Sequence, residues 1–130
     1  MLRGLTLAVS AVVLVGCAKA APEDTCKTPD FTPKAKAGTY AAEKEAVTIC
    51  VRKAAFGLAK AGGDIRHAGE GAVGQCAAQE AAVGVKSGDK IYEWQRKELH
   101  ASLIHTAQIA ATQARATGCG LPPGAPRDTL

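Results

Sequence analysis

Apolar residues recur at helical spacing between Tyr40 and Ala61, which predicts the first helix of the chain. Gly62 and Gly63 end this helix, and Asp64 is a favourable N-cap for a second one. The two helices are joined by a very short turn and should therefore pack antiparallel. The residues that share the apolar face of the first helix are Val47, Cys50, Val51, Ala54 and Leu58.

The second helix is predicted from about Ile65 to Val83. Its apolar face consists of Ile65, Ala68, Ala72, Cys76 and Val83. Four glycines weaken it, each by about 1 kcal/mol relative to alanine; they are Gly69, Gly71, Gly74 and Gly84. The run from Gly69 to Gly74 lacks the preceding strand and the following Lys-Ser/Thr of a phosphate-binding loop. We interpret it as a small-residue surface that permits close helix–helix approach.

The longest helix is predicted from about Lys90 to Thr117. Gly118 and Gly120 flank Cys119 and end it, and prolines follow. Two adjacent stripes are expected along this helix: Tyr92, Leu99, Leu103, Thr106 and Ala110, and beside them Trp94, Ala101, Ile104 and Gln108. We expect the aromatic rings of Tyr92 and Trp94 to be core or edge packing groups.

These elements predict an all-α fold, a small three-helix bundle with two disulfides. The helical domain is expected over residues 40–119. Residues 17–39 contain three prolines and several lysines, which is typical of an extended tether. Residues 120–130 are expected to form a disordered tail.

The first residues of the chain have the pattern of a signal peptide. Arg3 supplies a positive charge, and Leu5 to Val15 is an apolar stretch too short to span a bilayer permanently. We therefore expect residues 1–16 to be removed on export.

The sequence Leu14-Val15-Gly16-Cys17 resembles the lipobox of bacterial lipoproteins. The resemblance implies that Cys17 receives a lipid and becomes the first mature residue, with the domain facing the periplasm. Ala18 after the lipidated cysteine implies the outer membrane. A rival cut after Ala20, in the small-x-small pattern of Ala18-Lys19-Ala20, would instead release a soluble periplasmic or secreted protein.

Four further cysteines remain, and an even number in an exported chain implies disulfides. Cys50 and Cys76 each lie 13 residues from Gly63, so the short turn places them level on facing helices. A Cys50–Cys76 bridge is therefore predicted, and Cys26–Cys119 follows by elimination. The chain contains no Cys-x-x-Cys, which argues against a thioredoxin-like role and against covalent haem, and no cofactor is expected.

The formal net charge of +4 includes Arg3, so the mature domain is only slightly basic. Lysine and arginine interleave with acidic residues, as in Lys44-Glu45 and Arg96-Lys97-Glu98. Interleaved charges are typical of a solvated helix face. Without a basic stripe in the sequence, nucleic acid is not an expected partner.

Candidate chemistry rests on few residues. His100 and His105 point about 140° apart on a helix and cannot easily share a metal. His67 and His105 are the candidates for a metal site, which would need a carboxylate close by. Ser102 lies one turn before His105, but no nucleophile elbow accompanies it. Glu80 is expected near the inward face of its helix, paired with a lysine or arginine.

Two classes of function stay open. The first is a non-catalytic, lipid-anchored envelope protein that binds another envelope protein through an exposed apolar or small-residue helix groove, without a pocket of perturbed titratable groups. The second is a periplasmic ligand- or metal-binding module, or an unrecognised hydrolase. The mature domain is broadly similar to small uncharacterised exported proteins of proteobacteria, a resemblance that carries no functional residues.

Overall fold

The computed structural model describes residues 26–121 and consists of four helices in that range. They are α1 (Tyr40–Lys60), α2 (Ile65–Gln75), α3 (Ala77–Ala82) and α4 (Glu93–Ala116). The predicted all-α fold with two disulfides is confirmed. No helix in this range is both long and apolar enough to cross a membrane. The predicted signal peptide, Cys17 and the tail from residue 122 onward lie outside the described residues.

Side chains cap the first two helices at the predicted turns. The Thr39 hydroxyl accepts a hydrogen bond from the Ala42 N–H at 3.2 Å, and the Asp64 carboxylate accepts one from the Arg66 N–H at 2.8 Å. Each satisfies a backbone N–H that has no partner inside its helix. The Asp64 cap and the Gly62-Gly63 turn therefore fix where α1 stops and α2 starts.

The predicted second helix is divided at Cys76. This residue has φ −107° and ψ 16°, and its N–H donates to the Val73 carbonyl at 3.0 Å, so the last turn of α2 tightens. The glycines of α2 make this end easy to distort because they contribute little to helix stability. The short α3 then packs against α1, and its Glu80 also reaches His100 on α4, whereas α2 packs broadly against both α1 and α4.

The core lies between α1, α2 and α4 and is rich in alanine. On α4 the buried residues are Leu103, Ala107, Ala111 and Ala114. The two predicted stripes therefore located only part of this face. Leu103 is buried as expected, and Leu99, Ile104 and Ala110 pack partly buried against the core. Tyr92 and Trp94, at the start of α4, are not part of the core.

Residues 26–38 form a non-helical segment that lies against α1. The Phe31 ring packs edge-on against Phe56, with centroids 6.5 Å apart. The Glu45 carboxylate accepts hydrogen bonds from the backbone N–H groups of Lys34 and Ala35, at 2.9 and 2.6 Å. The described part of the predicted tether is thus attached to the helical domain along its length.

Candidate interaction surfaces

Two disulfides hold the bundle together, and their pairing is the predicted one. Cys50 on α1 bonds to Cys76 at the α2–α3 break, and Cys26 bonds to Cys119 just after α4. Both Cys76 and Cys119 are fully buried. The start of the described chain is therefore fixed to the end of α4 that lies beside the α1–α2 turn.

Arg115 reinforces this end of the bundle. From the last turn of α4, its guanidinium donates to the Gly63 carbonyl at 2.7 Å and to the Ala59 carbonyl at 3.3 Å. A cation at the carboxyl end of α1 is favourable because helix carbonyls there carry partial negative charge. The Cys26–Cys119 disulfide and Arg115 together hold the N-terminal segment, the α1–α2 turn and the end of α4 against one another.

The opposite end of the bundle carries exposed apolar side chains. Val85, Tyr92 and Trp94 are exposed by 67, 54 and 59%. We call these three residues the loop patch, because they lie on the α3–α4 loop and the first turn of α4. The expectation that Tyr92 and Trp94 are packing groups was wrong. Trp94 precedes Leu103 by nine residues, which at 100° per residue places it about 180° from the core face.

The Glu43 carboxylate fixes the loop that leads to this patch. It accepts hydrogen bonds from the N–H groups of Gly84, Lys86 and Ser87 at 2.6, 2.8 and 3.1 Å, and from the Ser87 hydroxyl at 2.9 Å. Desolvation raises the pKa of Glu43, but the hydrogen bonds from Ser87, Gly84 and Lys86 outweigh it and hold the pKa below its ordinary value. The sequence gave no indication that Glu43, in the first turn of α1, would bind the α3–α4 loop.

Histidines form pairs with carboxylates. Nδ1 of His100 lies 2.9 Å from Oε1 of Glu80, whose side chain is only 18% exposed. The predicted inward position of Glu80 is thus approximately right, but its partner is a histidine and not a lysine or arginine. His67 lies beside Asp64, with Nδ1 3.5 Å from the carboxylate.

The candidate metal ligands do not come together in the described range. Among residues 26–121, no group of three or more His, Cys, Asp or Glu side chains is placed to hold a metal ion. The proposed convergence of His67, His105 and a carboxylate is therefore not present. The Ser102 carbonyl accepts a hydrogen bond from the Thr106 hydroxyl at 2.8 Å, and no hydrogen bond joins Ser102 to His105 in this part of the chain.

Two clefts flank Phe31, where the N-terminal segment crosses α1. The larger has a volume of about 440 Å³ and is lined by Asp30, Phe31, Thr32, Lys34, Glu45, Thr48, Ile49 and Arg52. The smaller, of about 100 Å³, is lined by Lys27, Pro29, Phe31, Arg52, Phe56, Ala110, Gln113, Ala114 and Thr117. A third cleft, between α1 and α4, has a volume of about 270 Å³ and is lined by Lys44, Thr48, Gln95, Glu98, Leu99, Ser102, Leu103 and Thr106.

The acids of the larger cleft serve as hydrogen-bond acceptors. The Thr32 hydroxyl and N–H lower the pKa of Asp30, and the N–H groups of Ala35 and Lys34 lower the pKa of Glu45. The hypothesis of a non-catalytic module predicted that no pocket would contain titratable groups with shifted pKa values. The larger cleft contradicts that prediction, because Asp30 and Glu45 line it and both have lowered pKa values. Both shifts favour the ionised form, which cannot donate a proton, so neither acid has the raised pKa of a general acid.

Comparisons of the chain with protein-family models, with curated proteins and with solved structures gave no match.

Proposed function

We propose that this chain is an exported envelope protein, anchored by a lipid on Cys17 and facing the periplasm from the outer membrane. Its helical domain acts as a non-catalytic module that binds another envelope protein through the loop patch. The observation that carries the binding proposal is the exposure of Trp94 at the end of α4 farthest from Cys26.

Support for export comes from the disulfides and the lipobox. Two disulfides within a domain of this size suit an oxidising compartment. Cys26 follows Cys17 by nine residues, a distance of at most about 30 Å in a fully extended chain. A lipid on Cys17 would therefore hold the Cys26–Cys119 end of the bundle near the membrane.

Support for protein binding comes from the position and chemistry of the loop patch. The 24 residues of α4 span about 36 Å at 1.5 Å per residue, so the patch lies far from the Cys26–Cys119 end. Tryptophan and tyrosine are enriched at protein interfaces, where an apolar ring with a polar group is useful on both sides. The hydrogen bonds of Glu43 to the N–H groups of Gly84 and Lys86 hold the backbone on both sides of Val85, one residue of the patch.

Anchoring is tested by labelling cells with a palmitate analogue. We expect label in the wild-type protein and none in Cys17→Ser. Unchanged labelling of the variant would place the lipid elsewhere. An unlabelled, soluble wild-type protein that begins at Ala21 would establish the rival cut and remove the anchor from the proposal.

Partner binding is tested by placing a photo-crosslinking amino acid at position 94 in the native envelope. Position 109 is the matched control, because Ile109 is an apolar residue of the same helix that is 44% exposed. We expect a discrete cross-linked product from position 94 that is lost when Val85 and Tyr92 are changed to serine. Equal products from positions 94 and 109, or none from either, would contradict binding through the loop patch.

A further inference from the structure

Charge is distributed unevenly between the two halves of the described chain. Residues 26–60 contain seven lysines and arginines against three acids, a formal net charge of +4. Residues 61–121 contain six of each and are formally neutral. The N-terminal segment and α1 therefore account for the whole net positive charge of the described domain.

The three acids of residues 26–60 are bound to other groups. Asp30 accepts from Thr32, Glu45 accepts from the segment backbone, and Glu43 accepts from the α3–α4 loop. No lysine or arginine between residues 26 and 60 lies within 4.0 Å of a carboxylate of the described chain, although the charge of Lys34 helps to lower the pKa of Glu45. Elsewhere, Lys97 pairs with Glu93 at 3.0 Å.

Several of these cations lie around Phe31. The Arg52 guanidinium lies 5.5 Å and the Lys53 ammonium 5.7 Å from the centroid of its ring. Arg52 lines both clefts beside Phe31, with Lys27 in the smaller and Lys34 in the larger. Lys60 follows Lys53 by two helical turns and so lies on the same side of α1. We call Lys27, Lys34, Arg52, Lys53 and Lys60 the basic face.

We propose that the basic face binds the anionic phospholipid headgroups of the bilayer that holds the lipid anchor. The choice of this bilayer rests on the proposed lipidation of Cys17. The nine residues from Cys17 to Cys26 keep Cys26, and with it Lys27 at the start of the basic face, within about 30 Å of the lipidated residue. Basic groups near an anionic membrane surface are attracted to it, and a basic patch commonly supplements a lipid anchor.

This contact orients the domain. α1 packs on the core face of α4, and Trp94 projects from the opposite face of α4. When α1 and the segment lie toward the membrane, Trp94 points away from it. The loop patch then faces the periplasm, where a protein partner can reach it.

The probe is the chain from Ala21 to Leu130, exported behind a separate signal peptide so that its disulfides form. All four helices, both disulfides and the basic face lie within residues 26–121, so this chain contains the whole described fold. It carries no lipid of its own. Co-sedimentation is measured with vesicles of phosphatidylcholine alone and with vesicles that contain phosphatidylglycerol, at low and high salt.

Two triple variants have equal net charge. Lys34, Lys53 and Lys60→Gln changes the basic face, and Lys86, Lys90 and Lys97→Gln changes the other end of the molecule. We expect the first variant to bind anionic vesicles about a hundredfold more weakly than wild type, and the second at most about fivefold more weakly. Circular dichroism on both variants establishes that each is folded.

Absent or salt-independent binding to the anionic vesicles would overturn the proposal, as would equal losses in the two triple variants. Retention on a soluble anionic polymer such as heparin without vesicle binding would also overturn it. These outcomes do not depend on the lipid, because the probe lacks Cys17. Failure of lipidation is read separately, from the palmitate labelling of the full chain.

Discussion

Gly120 lies where the chain after α4 meets the end of α1. Its φ is +71°, and a Cβ built on it would overlap the Ala59 carbonyl oxygen and come within 3.0 Å of the Gly62 nitrogen. Gly88 has a similar φ of +74°, but a Cβ there would meet nothing within 4 Å. An alanine at Gly88 would therefore meet only the cost of a left-handed backbone, whereas an alanine at Gly120 would meet that cost and steric overlap as well.

Gly88→Ala should lower the free energy of unfolding by about 1–2 kcal/mol, the cost of a left-handed backbone for an alanine. Gly120→Ala should lower it by about 3 kcal/mol or more, because overlap adds to that cost. Urea denaturation of both variants measures the difference. Equal losses of unfolding free energy in the two variants would show that the chain after Cys119 can move away from Ala59 without further destabilisation.

Glu43 shows how one carboxylate can hold a loop of four residues to a helix. The pKa of Glu43 is lower in the folded protein than its ordinary value. Its contribution to stability is therefore fully present above the ordinary glutamate pKa of about 4.3, and it is lost as the pH falls through the folded value.

Glu43→Gln should lower the urea midpoint at pH 7, because an amide cannot accept all four hydrogen bonds. The difference from wild type should shrink as the pH is lowered from about 4.3, where the wild-type carboxylate also becomes neutral. Glu70→Gln, at an exposed position of α2, is the control and should leave the midpoint unchanged. A gap between Glu43→Gln and wild type that is constant down to pH 2 would contradict this role.

At the scale of the helix, the glycines of α2 differ in what they do. A Cβ at Gly69 would lie 2.9 Å from Cγ2 of Ile104 and 3.2 Å from its carbonyl oxygen, so this glycine allows α2 to approach α4 closely. A Cβ at Gly74 would meet nothing within 4 Å. The interpretation of the glycine run as a close-approach surface therefore holds for Gly69 and not for Gly74.

Gly69→Ala should destabilise the protein by about 1–3 kcal/mol through overpacking against α4. Gly74→Ala should stabilise it by about 0.5–1 kcal/mol, because alanine is the better helix former and the space is open. Thermal unfolding followed by circular dichroism tests both. Stabilisation by both changes would mean that α2 and α4 separate easily at this point.

The limits of sequence prediction are also clearest for whole helices. The position of α1 and the Cys50–Cys76 bridge followed from periodicity and from equal distances to Gly63, because a short turn leaves little freedom of register. The core face of α4 did not follow, since alanines occur all around this helix and periodicity cannot distinguish Ala107 from Ala101. The break at Cys76 was missed because the helical spacing of the apolar residues continues through Cys76 to Val83.

For the whole molecule, the two disulfides close loops of different size. Cys26 and Cys119 are 93 residues apart in sequence, whereas Cys50 and Cys76 are 26 apart. The chain-entropy estimate is about 4.7 kcal/mol for the longer loop and about 3.5 kcal/mol for the shorter.

The double variant Cys26→Ala/Cys119→Ala should therefore lose more stability than Cys50→Ala/Cys76→Ala, by about 1 kcal/mol. Each pair has one fully buried cysteine, Cys119 and Cys76, so the cavity terms are comparable. Urea denaturation of both double variants makes the comparison. A larger loss from the Cys50/Cys76 pair would show that packing at the α2–α3 break outweighs loop entropy.

The candidate surfaces were harder to predict than the fold. Interleaved charges concealed the basic face, because the sequence does not reveal that the N-terminal segment folds back and places Lys27 and Lys34 in the clefts beside Arg52. The loop patch was concealed because an isolated tryptophan is more often buried than exposed. Export, lipidation of Cys17 and localisation remain predictions from the first residues of the chain.

The Cys26–Cys119 bridge also determines how this domain responds to mechanical load. A pull on the lipid anchor, opposed by a pull on the chain beyond residue 121, passes from Cys26 straight into Cys119 through a covalent bond. The 93-residue loop between them, with all four helices, is bypassed by that tension. Traction applied to the ends of the chain should therefore extend only the residues outside the loop and leave the bundle folded until the disulfide is reduced.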